Sequence, residues 1–300
     1  MILKEILTQI EYIKFIGEPS LNVKGVVSLE EISGTENMLS WCNDKNIDKL
    51  SLVKTKSTII VSEKVVINKS DYINYIIVEN PRRVFQEVLT KFFSKKRSPV
   101  IHKSACISED CIIGDGAFIG HNVIIEENCR IGVNVEILHN TTILKGTVIE
   151  NNVTIGANNT IGGVGFGYEK NKKGDFELIP HIGNVVIKNN VDIGNNTCID
   201  RAVMGSTIIG ENVKIDNLVH IAHGVKVKRN SVVIANAMIA GSVTIGENSW
   251  IAPSASIINK KNIGSNALIG LGAVITKDVN DYEIVAGNPG KLIRKINKDE

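Results

Sequence analysis

The sequence has 300 residues, a size typical of two domains or of one repeat array with an appended domain. Charged residues make up 22%, the net charge is +2 and the hydrophobic fraction is 43%, which excludes a disordered chain and a basic nucleic-acid-binding protein. Aromatic residues make up only 5%, so we expect thin β layers filled by aliphatic side chains.

The N-terminus and the cysteines indicate the cellular compartment. The first residues, MILKEILTQIEYIKFIG, are interrupted by charges, and no run of about 18 apolar residues occurs in the sequence. The five cysteines form no CxxC pair and no zinc-finger spacing. We therefore expect a soluble, cytoplasmic protein that inserts in no membrane and has no structural disulfides.

A separate α/β domain is predicted over residues 1–98. The first 80 residues lack any repeat and contain strand-like stretches such as Ser57-Thr58-Ile59-Ile60-Val61-Ser62. Asn80 and Pro81 have the residue types of a helix N-cap and first turn. The apolar stripe of this predicted helix consists of Val84, Phe85, Val88, Leu89, Phe92 and Phe93.

A six-residue repeat dominates the rest of the chain. From Ile101 to Ile161, every sixth residue is isoleucine, and the period continues with Ile or Val to Ile275, giving 26 hexads. This period is too long for a helix stripe, but it suits a solenoid with one short parallel strand and one turn per hexad. The sequence therefore predicts a mainly β fold, with a parallel β-helix of about nine coils over residues 99–280 and a tail over 281–300.

Asparagine recurs at the predicted turns, where a left-handed backbone is tolerated at low steric cost. These residues are Asn134, Asn152, Asn190, Asn212, Asn230, Asn248 and Asn266. The register breaks twice, near residues 162–186 and 200–208. Extra residues must leave a solenoid at a corner, so both breaks predict loops.

Specific motifs occur at these breaks and after them. They are GGVGFGY at 162–168, IPHIG at 179–183, IDRA at 199–202 and IDNLVHIAH at 215–223. With VSLEE at 27–31 and LSWCN at 39–43, this sequence resembles the lipid A N-acyltransferase (LpxD-like) family over residues 20–289. The resemblance implies a left-handed β-helix, a homotrimer, and transfer of an acyl chain from a thioester to the amine of a nucleotide-linked amino sugar.

Three residues are candidates for catalysis: two lie at positions that match catalytic positions of the family, and one suits the chemistry of the reaction. The resemblance implies that His223 is the general base and that the backbone N–H of Gly241, one coil later, stabilises the oxyanion. Asp216, seven residues before His223, is our candidate for orienting the imidazole.

The resemblance also implies substrate-binding residues, several of which also fit structural roles. Trp41 and Asn43 match uracil-binding positions, although Trp41 also fits a core role. His181 and His220 fit contacts to sugar or phosphate, or an ordinary surface. Arg201 fits either the substrate pocket or a loop salt bridge. The remaining candidates are Phe166, Tyr168 and Asn217 for the substrate, and Asn259, Lys260 and Lys261 for the acyl donor.

The chain departs from the family pattern in ways that bear on substrate choice. The second uracil-stacking aromatic has no counterpart, so both UDP- and dTDP-sugars remain open, and Val164 replaces an Asp of the glycine-rich loop. A second motif His falls on Lys260 or Lys261. The end of the chain contains GNPG, as in sugar acetyltransferases that use coenzyme A, which favours a short acyl group and an acyl-CoA donor over acyl carrier protein.

His121 and His139 lie 18 residues apart and are predicted to stack at one corner. A metal site needs a third ligand, so we expect no metal and no permanently bound cofactor.

The leading hypothesis is a sugar-nucleotide N-acyltransferase of surface-polysaccharide synthesis. The alternatives are the lipid A enzyme, with a hydroxyacyl chain on acyl carrier protein, and a noncatalytic β-helix scaffold.

Overall fold

The computed structural model describes residues 1–65, 72–95 and 97–297. The chain divides into two compact units, Met1–Lys96 and Arg97–Glu300. We call them the N-terminal unit and the β-helix unit. In the described part of the chain, no helix is long and apolar enough to cross a membrane.

The N-terminal unit is a small mixed sheet with helices. Its strands lie in the order Lys14–Ile16, Ile73–Val78, Ser57–Ser62, Met38–Trp41 and Gly25–Val26, of which only the first is antiparallel to its neighbour. The central strands Ser57–Ser62 and Ile73–Val78 are buried throughout, as expected for parallel strands covered on both faces. Short helical segments at Leu3–Leu7, Ile32–Gly34 and Asp44–Leu52 complete the unit.

The predicted helix is present at Pro81–Val88 and continues into a wider turn at Leu89–Phe93. The Asn80 side chain accepts a hydrogen bond from the backbone N–H of Arg83 at 3.1 Å, so Asn80 is the N-cap, as predicted. Val88 is fully buried against the sheet, and Phe85, Phe92 and Phe93 pack on the same core.

The β-helix unit is a stack of short parallel strands on three faces, in the part of the chain described. The strands of face 1 are Val100–Ile101, Phe118–Ile119, Glu136–Ile137, Thr154–Ile155, Asp192–Ile193, Lys214–Ile215, Val232–Val233, Trp250–Ile251, Leu268–Ile269, Glu283–Ala286 and Lys291–Lys295. Those of face 2 are Cys106–Ile107, Ile124–Ile125, Thr142–Ile143, Thr160–Val164, Cys198–Arg201, His220–Ile221, Met238–Ile239, Ser256–Ile257 and Val274–Ile275. Those of face 3 are Ile112–Ile113, Arg130–Ile131, Val148–Ile149, Asn184–Ile187, Ser206–Ile209, Lys226–Val227, Thr244–Ile245 and Asn262–Ile263.

The repeated Ile and Val residues form the core of the stack. From Ile119 to Ile275 they point inward and are almost completely buried, each contributing about 1.5–3 kcal/mol before chain entropy is subtracted. Ile101 differs, with 52% of its surface exposed, because it belongs to the first coil of the stack. The seven predicted turn asparagines all have φ between 55° and 60°, which confirms their left-handed role. The mainly β class and the parallel β-helix are confirmed.

The C-terminal segment differs from the predicted tail. Glu283–Ala286 pairs in parallel with Leu268–Ile269 of face 1, and Lys291–Lys295 returns antiparallel to it. Val285 is buried in the solenoid core. The described part of the tail therefore closes the end of the stack with a hairpin; residues 298–300 lie outside the described residues.

Candidate active site

The three corners of the β-helix form three edges along the stack. We call the corner that follows each face 1 strand the first edge, and the corner that follows each face 2 strand the second edge. Both predicted insertions leave the coil at the second edge. The long one connects Thr160–Val164 to Asn184–Ile187 and includes the hairpin Tyr168–Lys170 and Phe176–Leu178; the short one connects Cys198–Arg201 to Ser206–Ile209.

His223 lies on the second edge, one coil after the short insertion. Its strand, His220–Ile221, pairs with Cys198–Ile199 on one side and Met238–Ile239 on the other. The Nδ1 atom of His223 is buried and has no hydrogen-bond partner among the described residues. Only glycines leave room for this ring: a Cβ on Gly165 would lie 2.8 Å from Nδ1, and one on Gly241 would lie 2.6 Å from Nε2.

Gly241 lies at the same corner one coil later, as the sequence predicted. Its carbonyl oxygen accepts a hydrogen bond from the N–H of Lys260 at 2.9 Å, whereas its own N–H has no acceptor among the residues the structure describes. Gly241, whose backbone donor is free, therefore lies beside the Nε2 edge of the His223 ring. This is the pairing that a base and an oxyanion donor require.

A polar cluster surrounds His223 on the side of the insertions. The rings of His181 and His223 are 5.2 Å apart and nearly perpendicular. Nδ1 of His181 lies 2.7 Å from the carbonyl oxygen of Ile179, so Nδ1 carries the proton, and the buried Nε2 has no partner in the described chain. Oδ2 of Asp200 lies 3.7 Å from Nε2 of His220, so this carboxylate belongs to the cluster.

The electrostatics of the cluster favour a neutral His223. Burial, followed by the nearby His181 and His220, lowers the pKa of His223 below its ordinary value. Burial raises the pKa of Asp200, while His220 and His181 act in the opposite direction. The lowered pKa favours the unprotonated form of His223, which a general base needs, and Asp200 can stabilise positive charge that develops in the cluster.

The prediction that Asp216 orients His223 is wrong within one chain. Asp216 lies on the first edge, and the strand His220–Ile221 separates it from His223. Its carboxylate instead accepts hydrogen bonds from the backbone and side chain of Asn217 and from the N–H of Ala235. Asn217, predicted to bind substrate, also lies on the first edge, where its Oδ1 accepts two hydrogen bonds from Asn195.

The other predicted residues of the β-helix unit lie along the second edge. Phe166 and Tyr168 are on the long insertion, with ring centroids 4.9 Å apart and 85% of Phe166 exposed. Arg201 forms no salt bridge with a described residue; it donates to the carbonyl oxygens of Gly162 and Lys145. The predicted donor-binding residues Asn259, Lys260 and Lys261 follow Gly241 by one coil.

Sequence reasoning missed Asp200 as a member of the site. The signal was available in the register, because Ile199 pairs with Ile221 across the short insertion, which places Asp200 one coil below Ala222. The proximity of His181 had no such signal, because it depends on the path of a long insertion.

The N-terminal unit contains a second candidate site. Trp41 and Asn43 line a cavity of about 500 Å³ at the end of the strand Met38–Trp41, together with Ser40 and Phe85. The oxygens Asn43 Oδ1 and Ser40 Oγ are buried without partners in the described residues. The Phe85 ring lies 6.4 Å from the Trp41 ring, so a second aromatic is present although the expected sequence position lacks one. This combination of rings and unpaired polar atoms suits a heterocyclic base.

The corner residues His102, His121 and His139 stack on the first edge, with ring centroids 3.3 Å and 5.0 Å apart. Nδ1 of His139 accepts a hydrogen bond from the N–H of His121 at 2.8 Å. Across the described residues, no group of three or more His, Cys, Asp or Glu side chains is arranged to hold a metal ion. The three histidines contact one another along this edge.

Comparisons with protein-family models find the repeats of the β-helix unit. Residues 96–165 match the model described as the GMPPB C-terminal domain, and residues 206–241 match the bacterial transferase hexapeptide (six repeats). Among solved structures, the UDP-N-acetylglucosamine acyltransferase of Francisella novicida has a TM-score of 0.61 at 27% identity, covering 67% of this chain and 71% of that one. LpxA from Bacteroides fragilis has a TM-score of 0.60 at 26% identity, covering 65% and 74%.

Three curated relatives, each named UDP-3-O-acylglucosamine N-acyltransferase, match this chain over different lengths. Identity is 58% over 81 residues with the Cytophaga hutchinsonii protein and 54% over 134 residues with a Caulobacter vibrioides protein; these matches cover 27% and 45% of this chain but only 23% and 39% of the relatives. The Protochlamydia amoebophila protein is 42% identical over 248 residues, covering 75% of this chain and 70% of that protein. The chain therefore belongs to the LpxD-related family of hexapeptide-repeat acyltransferases.

Proposed function

We propose that this protein is an N-acyltransferase that moves an acyl group from a thioester, a short acyl-CoA, to the amine of a nucleotide-linked amino sugar in surface-glycan synthesis. The observation that carries the proposal is the juxtaposition of the His223 ring with the free N–H of Gly241. Family membership supports the reaction class, because the relatives are named as N-acyltransferases of an acylated UDP-glucosamine.

In the proposed mechanism, the sugar amine donates a hydrogen bond to Nε2 of His223 and attacks the thioester carbonyl carbon. His223 takes the proton of the amine, and the N–H of Gly241 donates to the oxyanion of the tetrahedral intermediate. When the intermediate collapses, the C–S bond breaks and the thiolate leaves, taking up the proton. The products are the amide and the free thiol. Asp200 stabilises the transient imidazolium through the histidine cluster.

The two substrates are proposed to approach His223 from opposite ends of the second edge. Asn259, Lys260 and Lys261 follow Gly241 by one coil. We assign them to the donor, since the ammonium groups of the two lysines suit the phosphates of coenzyme A. The insertions on the other side, with Phe166, Tyr168 and the buried His181, are assigned to the sugar. Trp41 and Asn43 are assigned to the nucleotide base.

We propose a homotrimer that associates through face 2. The residue before each inward-facing Ile of this face carries no formal charge along the described stack, from Cys106 and Ile124 to Ser256 and Val274. Asp200, near the end of the strand Cys198–Arg201, is a charged residue on this face. Face 1 presents Glu136, Asp192 and Lys214 instead. A neutral face is the one that a second copy covers at the lowest desolvation cost. Sedimentation equilibrium of the full chain is expected to give three times the chain mass; a monomer contradicts this assignment.

A second candidate is acylation of UDP-3-O-acylglucosamine from acyl carrier protein; the names of the relatives favour this acceptor. A donor titration distinguishes the two. Purified protein is incubated with UDP- and dTDP-amino sugars and either short acyl-CoA or long-chain hydroxyacyl carrier protein, and the N-acylated product is measured by mass spectrometry. We expect turnover with short acyl-CoA. Turnover with the carrier protein alone supports the second candidate, and no product with any donor supports a noncatalytic scaffold.

A further inference from the structure

A second cavity lies on the second edge, on the N-terminal side of the insertions. It has a volume of about 420 Å³, and neither His223 nor Gly241 lines it. Two cationic residues line it, Arg201 and Lys145, together with Glu127, Asn128 and Asn184. Arg201 and Lys145 come from different coils, and the parallel strands that connect their levels include one register shift, between Ile161 and Gly163.

Arg201 is a buried cation without a counter-charge. Only 7% of its surface is exposed. Its Nε donates to the carbonyl oxygen of Gly162 at 2.7 Å and its Nη2 to that of Lys145 at 3.2 Å, and no carboxylate of the described chain lies within 4.0 Å. These two bonds leave other N–H groups of the guanidinium available. Burying an arginine without an acidic partner is unfavourable, and a bound anion relieves that cost.

Lys145 adds a second positive charge to the same cavity. Its backbone N–H is bonded to the Glu126 side chain, whereas its ammonium has no ion pair with a described residue. The exposed carboxylate of Glu127 also lines the cavity, so the two cations leave a net charge of one. Asn184 is committed to other partners, because its amide bonds to the Gly146 carbonyl and the Ser206 hydroxyl. The two cations are therefore the groups that an anion would meet.

The position of the cavity along the stack indicates which anion it takes. Arg201 belongs to the strand next to that of His220, one spacing of about 4.8 Å from the level of the catalytic corner. Lys145 follows Thr142–Ile143, three strand spacings or about 14 Å from that level. A diphosphate attached to a sugar at His223 would reach this range. We propose that the Arg201–Lys145 cavity binds the diphosphate of the nucleotide-sugar acceptor. The inference rests on the proposed function.

The test is direct binding, which requires no turnover. UDP, dTDP, uridine and coenzyme A are titrated by calorimetry into the full chain and its Lys145→Gln variant. Lys226→Gln is the matched control, because Lys226 is an exposed lysine on face 3. We expect Lys145→Gln to weaken binding of the nucleoside diphosphate about threefold to tenfold and to leave uridine binding unchanged, since uridine lacks phosphates. Lys226→Gln is expected to change neither.

Arg201→Gln is expected to have a larger effect on the diphosphate, but it also removes two bonds to carbonyl groups, so thermal unfolding is measured beside it. Equal affinity of Lys145→Gln and the parent protein for the diphosphate contradicts the proposal. So does weakened binding of coenzyme A alone, which would assign the cavity to the donor, and so does a parent protein that binds neither UDP nor dTDP. A protein that transfers no acyl group but shows the expected affinity pattern refutes the proposed function and leaves this site in place.

Discussion

The first and second edges of the β-helix are built from the same hexad, yet they differ in how their polar groups are satisfied. On the first edge the coil is regular, and corner side chains bond to the corner of the neighbouring coil: Asn195 donates twice to Asn217, and the N–H of His121 donates to His139. On the second edge two insertions interrupt the register, and buried nitrogens of His181 and His223 have no partners within the described chain.

This difference shows where function resides in a repeat protein. A regular corner satisfies its own donors and acceptors and contributes to stability. An interrupted corner brings side chains together without pairing them, which leaves polar atoms free for a ligand. The comparison predicts that substitutions on the second edge affect activity, whereas equivalent substitutions on the first edge affect only folding.

Replacing the base is expected to have the largest effect. His223→Ala should lower kcat by about 10²- to 10⁴-fold, because the amine loses its proton acceptor. His121→Ala is the matched control on the first edge and should retain the parent rate. The measurement is steady-state acyl transfer, with circular dichroism to confirm that both variants fold. Equal loss of rate in the two variants would remove the distinction between the edges.

A single methyl group on Gly241 should have the next largest effect. The added Cβ would lie 2.6 Å from Nε2 of His223, so the ring must move, and Gly241→Ala is expected to reduce kcat by about 10- to 100-fold. Gly34→Ala is the control, because nothing lies within 4 Å of a Cβ at that glycine. An unchanged rate for Gly241→Ala would show that this corner is not used.

The pH dependence sharpens the assignment of the base. Burial and the neighbouring histidines lower the pKa of His223, so kcat/KM should fall on acidification only below the ordinary histidine value of 6.5. His181→Asn removes one cause of the lowering, and the acidic midpoint is expected to rise. A pH–rate profile of the parent and variant measures this shift. A parent midpoint above 6.5, or an unmoved midpoint in the variant, contradicts the arrangement.

The smallest effect is expected on the first edge and concerns stability. Asn217→Ala removes the acceptor of two hydrogen bonds from Asn195 and should lower the free energy of unfolding by about 0.5–1.5 kcal/mol. Urea denaturation measures the loss, and the transfer assay should show an unchanged kcat. A large loss of kcat at unchanged stability would instead return Asn217 to the substrate-binding residues.

The repeat made most of the fold predictable, because one inward-facing aliphatic every six residues has few other solutions. The same arithmetic related Gly241 to His223, since both lie on one edge one coil apart. It also shows why Asp216 was misplaced: a hexad separates neighbouring corners, so seven residues reach the next edge and not the next coil.

The contact between His181 and His223 was not predictable, because it depends on the path of an insertion that has no repeat to fix it. Phe85 was recognised as part of a helix stripe, but its proximity to Trp41 depends on how that helix packs on the sheet.

The most direct measurement is a crystal structure of the protein soaked with a UDP- or dTDP-amino sugar and coenzyme A. The account predicts the sugar amine at about 2.6–3.2 Å from Nε2 of His223, with the reactive end of the donor beside the N–H of Gly241. A sugar bound with its amine remote from His223, or seated on the first edge, would contradict it.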